Sequence, residues 1–445
     1  MMARPLQDSD PVVFRVLEAE RRRQREGVEL IPSENYVSAA VLEAMGTIFT
    51  NKYSEGYPGR RYYGGNEYVD DVERLAQERA KALFGVPHAN VQPYSGSPAN
   101  LAVYVATCHP GDPIMGQSLP DGGHLTHGWK VSVTGQYYRS IPYHVRPDGY
   151  IDFAEVQALA REHRPRLIWC GATAYVREFP FKALAEIADE VGAFFAADIA
   201  HVAGLVVAGA HASPVPHAHV ITTTTHKTLR GPRGAMILVT QKGLDKDPEL
   251  AEKIDRAIFP GLQGGPHDHT TAAIAVALGE AMQPSFKDYG RQVVTNAKAL
   301  AAGLMRRGLT LVTHGTDNHM VLLDLTPGGP GRGVFLQEGL DRVGITVNKN
   351  TIPGEPSSAF YPSGVRLGSP AATTRGMRED EMDRIAGWIT DVAEQIEEFR
   401  LPDEREARST ELRRFRKVIQ DNARLASLHE DVRAFCLRFP VPGTS

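Results

Sequence analysis

The sequence has few of the residues that mark a disulfide framework, a zinc site or a membrane span. Its three cysteines, Cys108, Cys170 and Cys436, are spread over 445 residues, and their spacing fits neither a metal-binding pattern nor a set of disulfides. No stretch approaches the roughly 18 consecutive apolar residues of a transmembrane helix. We therefore expect a chain without a membrane span, whose cysteines are buried and unreactive.

A large net charge is also missing. The formal charge is -4 and the pI is about 6.5, which gives no reason to expect a surface for nucleic acid or anionic lipid. Residues 1–14 contain no apolar signal core and carry acids early, so we expect no targeting segment and a cytoplasmic protein. With 42% hydrophobic and 23% charged residues, the composition is that of a globular protein, and its length favours two domains.

The N-terminal region predicts a helix over residues 11–26 that ends at Gly27. Its apolar residues fall on one face and are Val12, Val13, Val16 and Leu17. Two interpretations stay open at this point. The helix is either an arm that packs on a partner subunit or a solvated surface helix.

The middle of the chain alternates helices and strands. A capping box of Asp152 and Glu155 predicts a helix ending near His163. The other predicted elements are strands at 166–171, 193–198, 219–225 and 234–240, and a helix at 183–191. This alternation predicts an α/β fold, with a mostly parallel sheet and helices on both faces.

Lys227 follows one of these strands, and Asp198 ends another. In open α/β sheets, ligands collect at the carboxyl ends of strands. Burial or the nearby cations Arg230 and Arg233 would lower the pKa of the lysine and leave it nucleophilic, as a Schiff-base lysine must be. A solvated surface lysine is the alternative.

Three loops offer ligand-binding groups. Ser95, Gly96 and Ser97 form a turn before a helix predicted to begin at Pro98, which suits a phosphate, although a plain N-cap has the same pattern. His124, in a glycine-rich loop, could stack on a planar ligand, and no metal site is expected there. Residues 51–65 contain four glycines and four tyrosines, which predicts a binding loop or a subunit contact.

The last third predicts a second unit. A helix over 293–307 leads into strands at 309–313 and 320–325, and residues 363–376 are predicted to be a loop that holds Arg366. An amphipathic helix follows, with apolar residues from Met382 to Phe399 at helical spacing, and then an exposed charged helix over 403–417.

An imine-forming lysine, an acid at a neighbouring strand end, a stacking histidine and a phosphate turn are together the parts that hold pyridoxal phosphate. A carboxylate at Asp198 would keep the pyridine nitrogen protonated, which makes the ring an electron sink. The residue pattern alone leaves this as one of several possibilities.

Nine long motifs closely resemble serine hydroxymethyltransferases, in order and over nearly the whole chain. They are LIPSENY, NKYSEGYPGRRYYGG, NVQPYSGSPAN, LPDGGHLTHG, ADIAHVAGL, TTTTHKTLRGPRG, FPGLQGGP, TVNKNTIP and SGVRLGSPAATTRG. The resemblance implies the aminotransferase-type fold (fold type I), with an N-terminal arm (1–50), a large pyridoxal-phosphate domain (51–290) and a small α+β domain (291–445). It also implies a homodimer with shared active sites, or a tetramer of such dimers.

The resemblance assigns the cofactor site residue by residue. Lys227 carries pyridoxal phosphate as an imine, Asp198 pairs with the ring nitrogen, and His124 stacks on the ring. The other implied cofactor residues are Ser95, Gly96, Ser97, Thr173 and His201, with Tyr53 and Gly265 from the partner subunit. Thr173 stands where many relatives have serine, and it keeps the hydroxyl.

The resemblance also assigns the substrate groups. Arg366 grips the amino-acid carboxylate with help from Ser33 and Tyr63, while Glu55 transfers protons and His226 sets substrate preference. The implied folate residues are Glu55, Tyr62, Leu119, Gly123, His124, Leu125, Asn350, Ser358, Ala359 and Phe360. Many bacterial members have proline where this chain has Ala359.

The implied reaction converts serine and tetrahydrofolate to glycine and 5,10-methylenetetrahydrofolate through an external aldimine. The alternative is a folate-independent relative such as a threonine aldolase, a transaldolase or an α-methylserine enzyme. A non-catalytic scaffold would be expected to have lost Lys227, Asp198 or Arg366, and all three are present.

Overall fold

The computed structural model describes residues 4–443. Its α-helices are, in order, α1 (Leu6–Ser9), α2 (Pro11–Glu26), α3 (Ala39–Met45), α4 (Glu67–Phe84), α5 (Gly96–Thr107), α6 (Val133–Tyr137), α7 (Phe153–His163), α8 (Phe181–Val191), α9 (Ala203–Ala208), α10 (Gln241–Lys246), α11 (Leu250–Arg256), α12 (Asp268–Ala281), α13 (Pro284–Arg306), α14 (Gly333–Arg342), α15 (Pro370–Thr374), α16 (Glu379–Gln395), α17 (Arg405–Asp421) and α18 (Ala423–Cys436). Its strands are β1 (Val28–Glu29), β2 (Gly56–Tyr57), β3 (Arg60–Arg61), β4 (His88–Asn90), β5 (Pro113–Gln117), β6 (Arg139–Tyr143), β7 (Leu167–Cys170), β8 (Phe194–Asp198), β9 (Val220–Thr224), β10 (Ala235–Val239), β11 (Thr310–Leu311), β12 (Met320–Asp324), β13 (Ile345–Thr346), β14 (Asn348–Asn350) and β15 (Gly364–Gly368).

A seven-stranded sheet forms the centre of the molecule. Its strand order is β4-β10-β9-β8-β7-β5-β6, and the five strands from β9 to β6 run parallel. Strand β10 is antiparallel to both of its neighbours, so the sheet is mixed. The predicted α/β class is confirmed, and β8 and β9 lie side by side, which brings Asp198 and the turn after Thr224 to one edge.

The apolar residues of this sheet pack into clusters with the helices on its faces. One cluster joins strand residues such as Ile168, Phe195 and Ile221 to helices α4, α7, α8 and α12. A second cluster joins Trp169, Ala196 and Ile237 to helices α5 and α11. Because successive strand residues point to opposite faces, both faces of the sheet are covered.

A four-stranded antiparallel sheet, in the order β11-β12-β15-β14, organises the last third of the chain. Its apolar side packs with α14, α16, α17 and α18 in a separate cluster. Val28 and Leu30 belong to that cluster too, since β1 pairs in parallel with β13. The segment that follows α2 therefore completes the hydrophobic core formed by the last third of the chain.

Arg366 lies in a strand, and the predicted loop over residues 363–376 is wrong for this part. Val365 and Leu367 are fully buried in the core beneath the sheet, so Arg366 between them points to the other face. The glycines at 364 and 368 suggested a turn. They instead allow close packing, because a Cβ at Gly368 would lie 2.5 Å from the Cα of Pro32.

Two predicted helix starts also differ in detail. Asp152 accepts hydrogen bonds from the backbone N–H groups of Ala154 and Glu155, as a cap should, but the Glu155 carboxylate bonds His144 and does not close the box. Helix α5 begins at Gly96, two residues before the predicted start at Pro98.

The N-terminal helix matches its prediction. Asp10 caps α2 by accepting from Val12 and Val13, and Gly27 ends it. All four of its predicted apolar residues are exposed, so the helix covers no core of its own chain with that face. Residues 1–3 of the predicted arm lie outside the described residues.

The predicted cysteine environment is confirmed, since Cys108, Cys170 and Cys436 are buried free thiols. Between residues 4 and 443, no helix combines the length and apolar character needed to cross a membrane.

Candidate active site

Lys227 lies three residues beyond β9, in the turn that the sheet order places beside Asp198. Burial lowers its pKa to about 8, the nearby Arg366 and Arg233 act in the same direction, and Asp198 opposes them. Its backbone carbonyl accepts a hydrogen bond from the Asn35 side chain at 2.9 Å. The lysine is thus held by its backbone, and an amine with this pKa is partly neutral near pH 7 to 8.

Asp198 is held as a carboxylate by three donors. Its oxygens accept from Asn100 Nδ2 at 2.9 Å, from the Ala200 N–H at 3.1 Å, and contact His127 Nε2 at 3.1 Å. Burial alone would raise its pKa, but the hydrogen bond and charge of His127, with His124 and Lys227, hold the pKa well below its usual range. Asp198 therefore stays ionised.

His124 and His127 differ in role, although both come from the same loop. His124 Nδ1 lies 2.7 Å from the Thr126 hydroxyl, and burial lowers its pKa to about 4. It is a neutral ring at neutral pH. His127 is buried, stacks on Trp169 with ring centroids 4.9 Å apart, and supports Asp198.

His124, His127 and Asp198 bring their ligand atoms within 4.8 Å of one another. This separation is compatible with a cation, which the sequence spacing did not suggest. However, His127 and Asp198 already satisfy each other at 3.1 Å. The ionised Asp198 carboxylate would accept a hydrogen bond from a protonated ring nitrogen, and the neutral His124 ring lies nearby, so the cluster suits an aromatic cation equally well.

Arg366 is 5% exposed and reaches the same pocket from β15. It donates to Asn348 Oδ1 at 3.0 Å and to the Thr173 carbonyl. Burial lowers its pKa to about 10, so it remains a cation without a carboxylate partner among residues 4–443. Ser33 follows Pro32, which packs against β15 at Gly368, and so lies near this strand.

His201 forms a buried pair with His319. Nδ1 of His201 and Nε2 of His319 are 3.3 Å apart, and burial lowers the pKa of both rings, that of His319 to about 3. His226, beside the lysine, has its pKa lowered to about 3 by burial and by Arg233 and Lys227. All three imidazoles are neutral, and the positive charges that act near Lys227 include Arg366 and Arg233.

The Ser95–Ser97 turn fits a phosphate. Ser95 is the N-cap of α5, but its hydroxyl makes no capping bond to the helix. The N–H groups of the first helical turn are left for a ligand, at the positive end of the helix dipole. A Cβ at Gly96 would lie 2.9 Å from the Thr224 methyl group, so the glycine lets the helix approach β9 closely.

A second group of predicted residues lies in the loop over residues 51–65. Tyr53 and Tyr63 pack edge to face with centroids 5.0 Å apart, Tyr62 is 76% exposed, and Glu55 is half-buried. A Cβ at Gly265 would lie 3.3 Å from the Tyr53 ring. The structure thus brings these residues to one exposed surface.

The predicted folate residues form a third group. Thr351 donates to the Pro120 carbonyl at 2.8 Å, which joins the segment of Asn350 to the loop of Leu119, Gly123 and Leu125. Leu125 is exposed, and so are Ser358, Ala359 and Phe360. A cavity of about 420 Å³ also borders Leu119 and His124.

Sequence reasoning missed several positioning residues. Asn100 links Asp198 to Thr222, whose hydroxyl donates to Asn100 Oδ1 at 2.7 Å. His319 and Asn35 support His201 and Lys227. Asn100 lies near the start of a helix that the sequence did predict, so its position close to the sheet edge could have been inferred. Asn35 and His319 come from distant segments, and no local pattern indicated their contacts with Lys227 and His201.

The residues present fit pyridoxal phosphate. The ionised Asp198 matches a pyridinium nitrogen, and the partly neutral lysine matches an aldehyde. The serine turn, whose hydroxyl does not cap the helix, matches a phosphate.

Comparisons with known proteins agree with this chemistry. The family model described as serine hydroxymethyltransferase matches residues 6–389. A relative of that name from Acidothermus cellulolyticus is 59% identical over 385 residues, which are 86% of this chain and 88% of the relative. Another, from Sorangium cellulosum, is 53% identical over 441 residues, 99% of this chain and 97% of the relative. A third, from Phenylobacterium zucineum, is 54% identical over 389 residues, 87% and 89% of the two chains. The chain belongs to the serine hydroxymethyltransferase family.

Proposed function

We propose that the protein is a pyridoxal-phosphate-dependent serine hydroxymethyltransferase, which reversibly converts L-serine and tetrahydrofolate to glycine and 5,10-methylenetetrahydrofolate. The observation that carries the proposal is the pairing of a buried lysine of pKa about 8 with an ionised aspartate in one pocket. The folate-independent alternative has no observation in its favour, since the residues that the family resemblance assigns to folate are largely present.

The chain's own residues hold the cofactor. Lys227 supplies a neutral amine for covalent attachment, Asp198 holds the proton on the ring nitrogen, and the Ser95–Ser97 turn binds the phosphate. His124 would stack on the ring, and Thr173 and His201 would bond near its phenolic oxygen. When bound, the cofactor supplies an electron sink for the electron pair released as the Cα–Cβ bond of serine breaks.

Arg366 binds the substrate carboxylate. Its guanidinium is buried and lacks a carboxylate of its own, and a planar guanidinium can grip one in a bidentate way. Ser33 and Tyr63 assist in this binding. His226, which is neutral beside Lys227, sets the preference among amino acids.

We further propose that two chains form a homodimer that shares its active sites, with a tetramer of such dimers as the larger form. Tyr53, Gly265, Glu55, Tyr62 and Tyr63 then act in the pocket of the other subunit. Support comes from the exposure of the three tyrosines in the single chain and from the exposed apolar face of α2. Glu55 moves protons during one-carbon transfer, and Tyr62 contacts folate.

Folate would lie between the Leu119–Leu125 loop and the small unit. Its pterin end would meet Asn350 and the exposed Ser358–Phe360 turn, where Ala359 in place of proline removes a backbone constraint. The proposed architecture is a fold-type-I enzyme with an arm (1–50), a large domain (51–290) and a small α+β domain (291–445). The main support is the two large, separate hydrophobic clusters.

We assign the reaction to the cytoplasm, in keeping with three buried free thiols and small-molecule substrates. The decisive test measures glycine formation from serine with and without tetrahydrofolate. Strong dependence on tetrahydrofolate is expected. A serine rate that tetrahydrofolate leaves unchanged would move the assignment to a folate-independent aldolase or transaldolase.

A further inference from the structure

A second concave surface lies behind the turn that carries Lys227. Two clefts meet at Arg230, one of about 550 Å³ and one of about 280 Å³. The larger cleft lies between the first turns of α13 and the segment that joins α15 to α16. Its charged lining consists of Arg230, Arg291, Arg378 and one acid, Asp288.

Arg230 is presented to both clefts in an unusual way. Its φ of 56° is in the left-handed region, which side chains other than glycine, asparagine and aspartate seldom adopt. Its guanidinium stacks on the ring of Tyr289, 4.3 Å from the centroid, and lies 5.4 Å from that of Phe286. Stacking occupies the face of the guanidinium and leaves its N–H edge for an acceptor.

That edge makes no hydrogen bond or ion pair with any residue from 4 to 443. Buried arginines elsewhere in the chain are well supplied with acceptors. Arg61 bonds Asp70, Glu73 and two carbonyls. Arg375 donates six hydrogen bonds to backbone carbonyls. Arg230 is therefore a half-buried cation that borders both clefts and has no acceptor among residues 4–443.

Two more cations flank the cleft. Arg378 is exposed, and Arg291 is tied only to Asp288 by a surface contact of 3.4 Å, which contributes little stability. In the larger cleft, three positive charges thus face one negative charge, and the smaller cleft adds Glu280, whose Oε1 accepts a hydrogen bond from the Ser38 hydroxyl. Such a surface attracts an anion that carries several oxygens, because guanidinium groups bind carboxylates and phosphates through paired hydrogen bonds.

The cleft is connected to the catalytic lysine by short hydrogen bonds. The Arg230 N–H donates to the Lys227 carbonyl at 3.1 Å. Asn35 Nδ2 donates to that same carbonyl at 2.9 Å and to the Tyr289 hydroxyl at 2.8 Å, on the ring that supports Arg230. Thr374, which lines the smaller cleft, donates to Asn35 Oδ1 at 2.7 Å.

We propose that this cleft is an effector site for a small multivalent oxyanion, held by Arg230 with help from Arg291 and Arg378. The site is separate from the cofactor's phosphate turn at Ser95 and goes beyond the proposed function. Through Asn35 and Tyr289, an anion bound there acts on the backbone that carries Lys227.

The test uses the holoenzyme, so that the cofactor already fills its own phosphate site. Calorimetric titration with inorganic pyrophosphate, and separately with citrate, distinguishes a phosphate ligand from a polycarboxylate. We expect saturable binding of at least one with a Kd below about 1 mM at low salt. The absorption band of the bound cofactor should change as the anion saturates.

Arg230→Gln should weaken binding at least about tenfold, because it removes a charge-assisted donor pair. Arg378→Gln should weaken it about threefold, since that cation is more exposed. The matched control is Arg384→Gln, which removes an arginine stacked 5.1 Å from Trp388 outside the cleft. Its affinity should stay within about twofold of the parent.

Several results would overturn the proposal. They are the absence of saturable binding, an unchanged affinity in Arg230→Gln, and an equal loss in Arg384→Gln, which would indicate general charge attraction only. If Arg230→Gln does not fold, an unchanged affinity in Arg378→Gln decides against the site. Saturable binding that leaves the cofactor band unchanged would overturn the link to Lys227.

Discussion

The pocket of Lys227 and the loop over residues 51–65 are built in opposite ways. In the pocket, the functional side chains themselves are buried and fixed by hydrogen bonds, as with Asp198 and Arg366. In the loop, it is the backbone that is fixed. Arg61 donates to the carbonyls of Ser54 and Gly56, and Asn66 to those of Tyr53 and Tyr63.

The loop therefore holds Tyr53, Tyr62 and Tyr63 in defined positions without covering them. Ordering a loop costs conformational entropy, and an ordered set of exposed rings is favourable only if a surface or ligand meets it. One region is closed within the chain, and the other is ordered but uncovered, as the proposed sharing of active sites in a homodimer would require. The predictions below test that contrast, beginning with the largest effect.

Lys227→Ala should lower serine turnover by on the order of 10³-fold or more, since it removes the covalent attachment point and the neutral amine. Borohydride reduction followed by mass spectrometry should no longer fix the cofactor to the protein. Lys246→Ala is the control, because this lysine also has its pKa lowered by burial but lies on α10. A covalent cofactor adduct at another residue in Lys227→Ala would contradict the assignment.

Arg366→Ala should raise the KM for serine about a hundredfold, because the substrate carboxylate loses a bidentate contact worth roughly 2 to 4 kcal/mol. Cofactor retention, measured by absorbance after gel filtration, should be nearly unchanged. Arg366→Lys should recover only part of the loss, since a lysine cannot form the paired bonds. Equal serine affinity in parent and Arg366→Ala would exclude this residue as the carboxylate ligand.

Glu55→Gln should reduce folate-dependent serine turnover by about tenfold or more, as expected for a lost proton-transfer group. Cleavage of β-phenylserine without folate should change by less than about twofold, because that reaction releases a stable aldehyde and needs only the pocket of Lys227. The ratio of the two rates is the measurement. Equal losses in both reactions would contradict a folate-specific role.

Mixing two inactive variants should restore activity if the loop serves the partner's pocket. Lys227→Ala and Tyr53→Ala chains, refolded together at equal amounts, should regain about a quarter of the parent activity. Half of the dimers would contain one chain of each variant, and each such mixed dimer would have one intact site out of two. Either variant refolded alone is the control, and no recovery in the mixture would mean that each chain completes its own site.

The pH dependence of cofactor uptake should report the buried amine. The rate at which cofactor-free protein attaches the cofactor should rise with pH and reach half its maximum near pH 8, because burial lowers the pKa of Lys227 to about 8 and only the neutral amine attacks. Asp198 raises that pKa, so Asp198→Asn should move the midpoint lower. A midpoint near 10.5 would mean a solvated lysine.

The two regions also differ in how far the sequence could predict them. The alternation of helices and strands placed Asp198 and Lys227 at one sheet edge, because parallel strands share their carboxyl ends. Arg366 was expected in a loop, since the surrounding glycines outweighed the short apolar alternation of Val365 and Leu367. Local sequence indicates the spacing of apolar residues and the positions of turns, but it does not indicate which distant strand will pair with a short segment.

Long-range partners account for the residues that the sequence did not reveal. Asn35 meets Lys227 across 192 positions and His319 meets His201 across 118. The contact between His127 and Asp198 depends on a buried geometry that no spacing rule encodes. The exposed tyrosines, by contrast, were predictable as a group from composition, although the site they complete was not.

The pairing of β1 with β13 has a consequence for how the protein is made. Val28 and Leu30 emerge from the ribosome long before Phe415 and Val432, which belong to the same core. Arg375 adds a second tie, with bonds to the carbonyls of Gly27 and Phe439. The segment of β1 is thus secured only after α17 and α18 have been synthesised, and a separately expressed C-terminal unit should gain stability when a peptide spanning residues 24–32 is supplied.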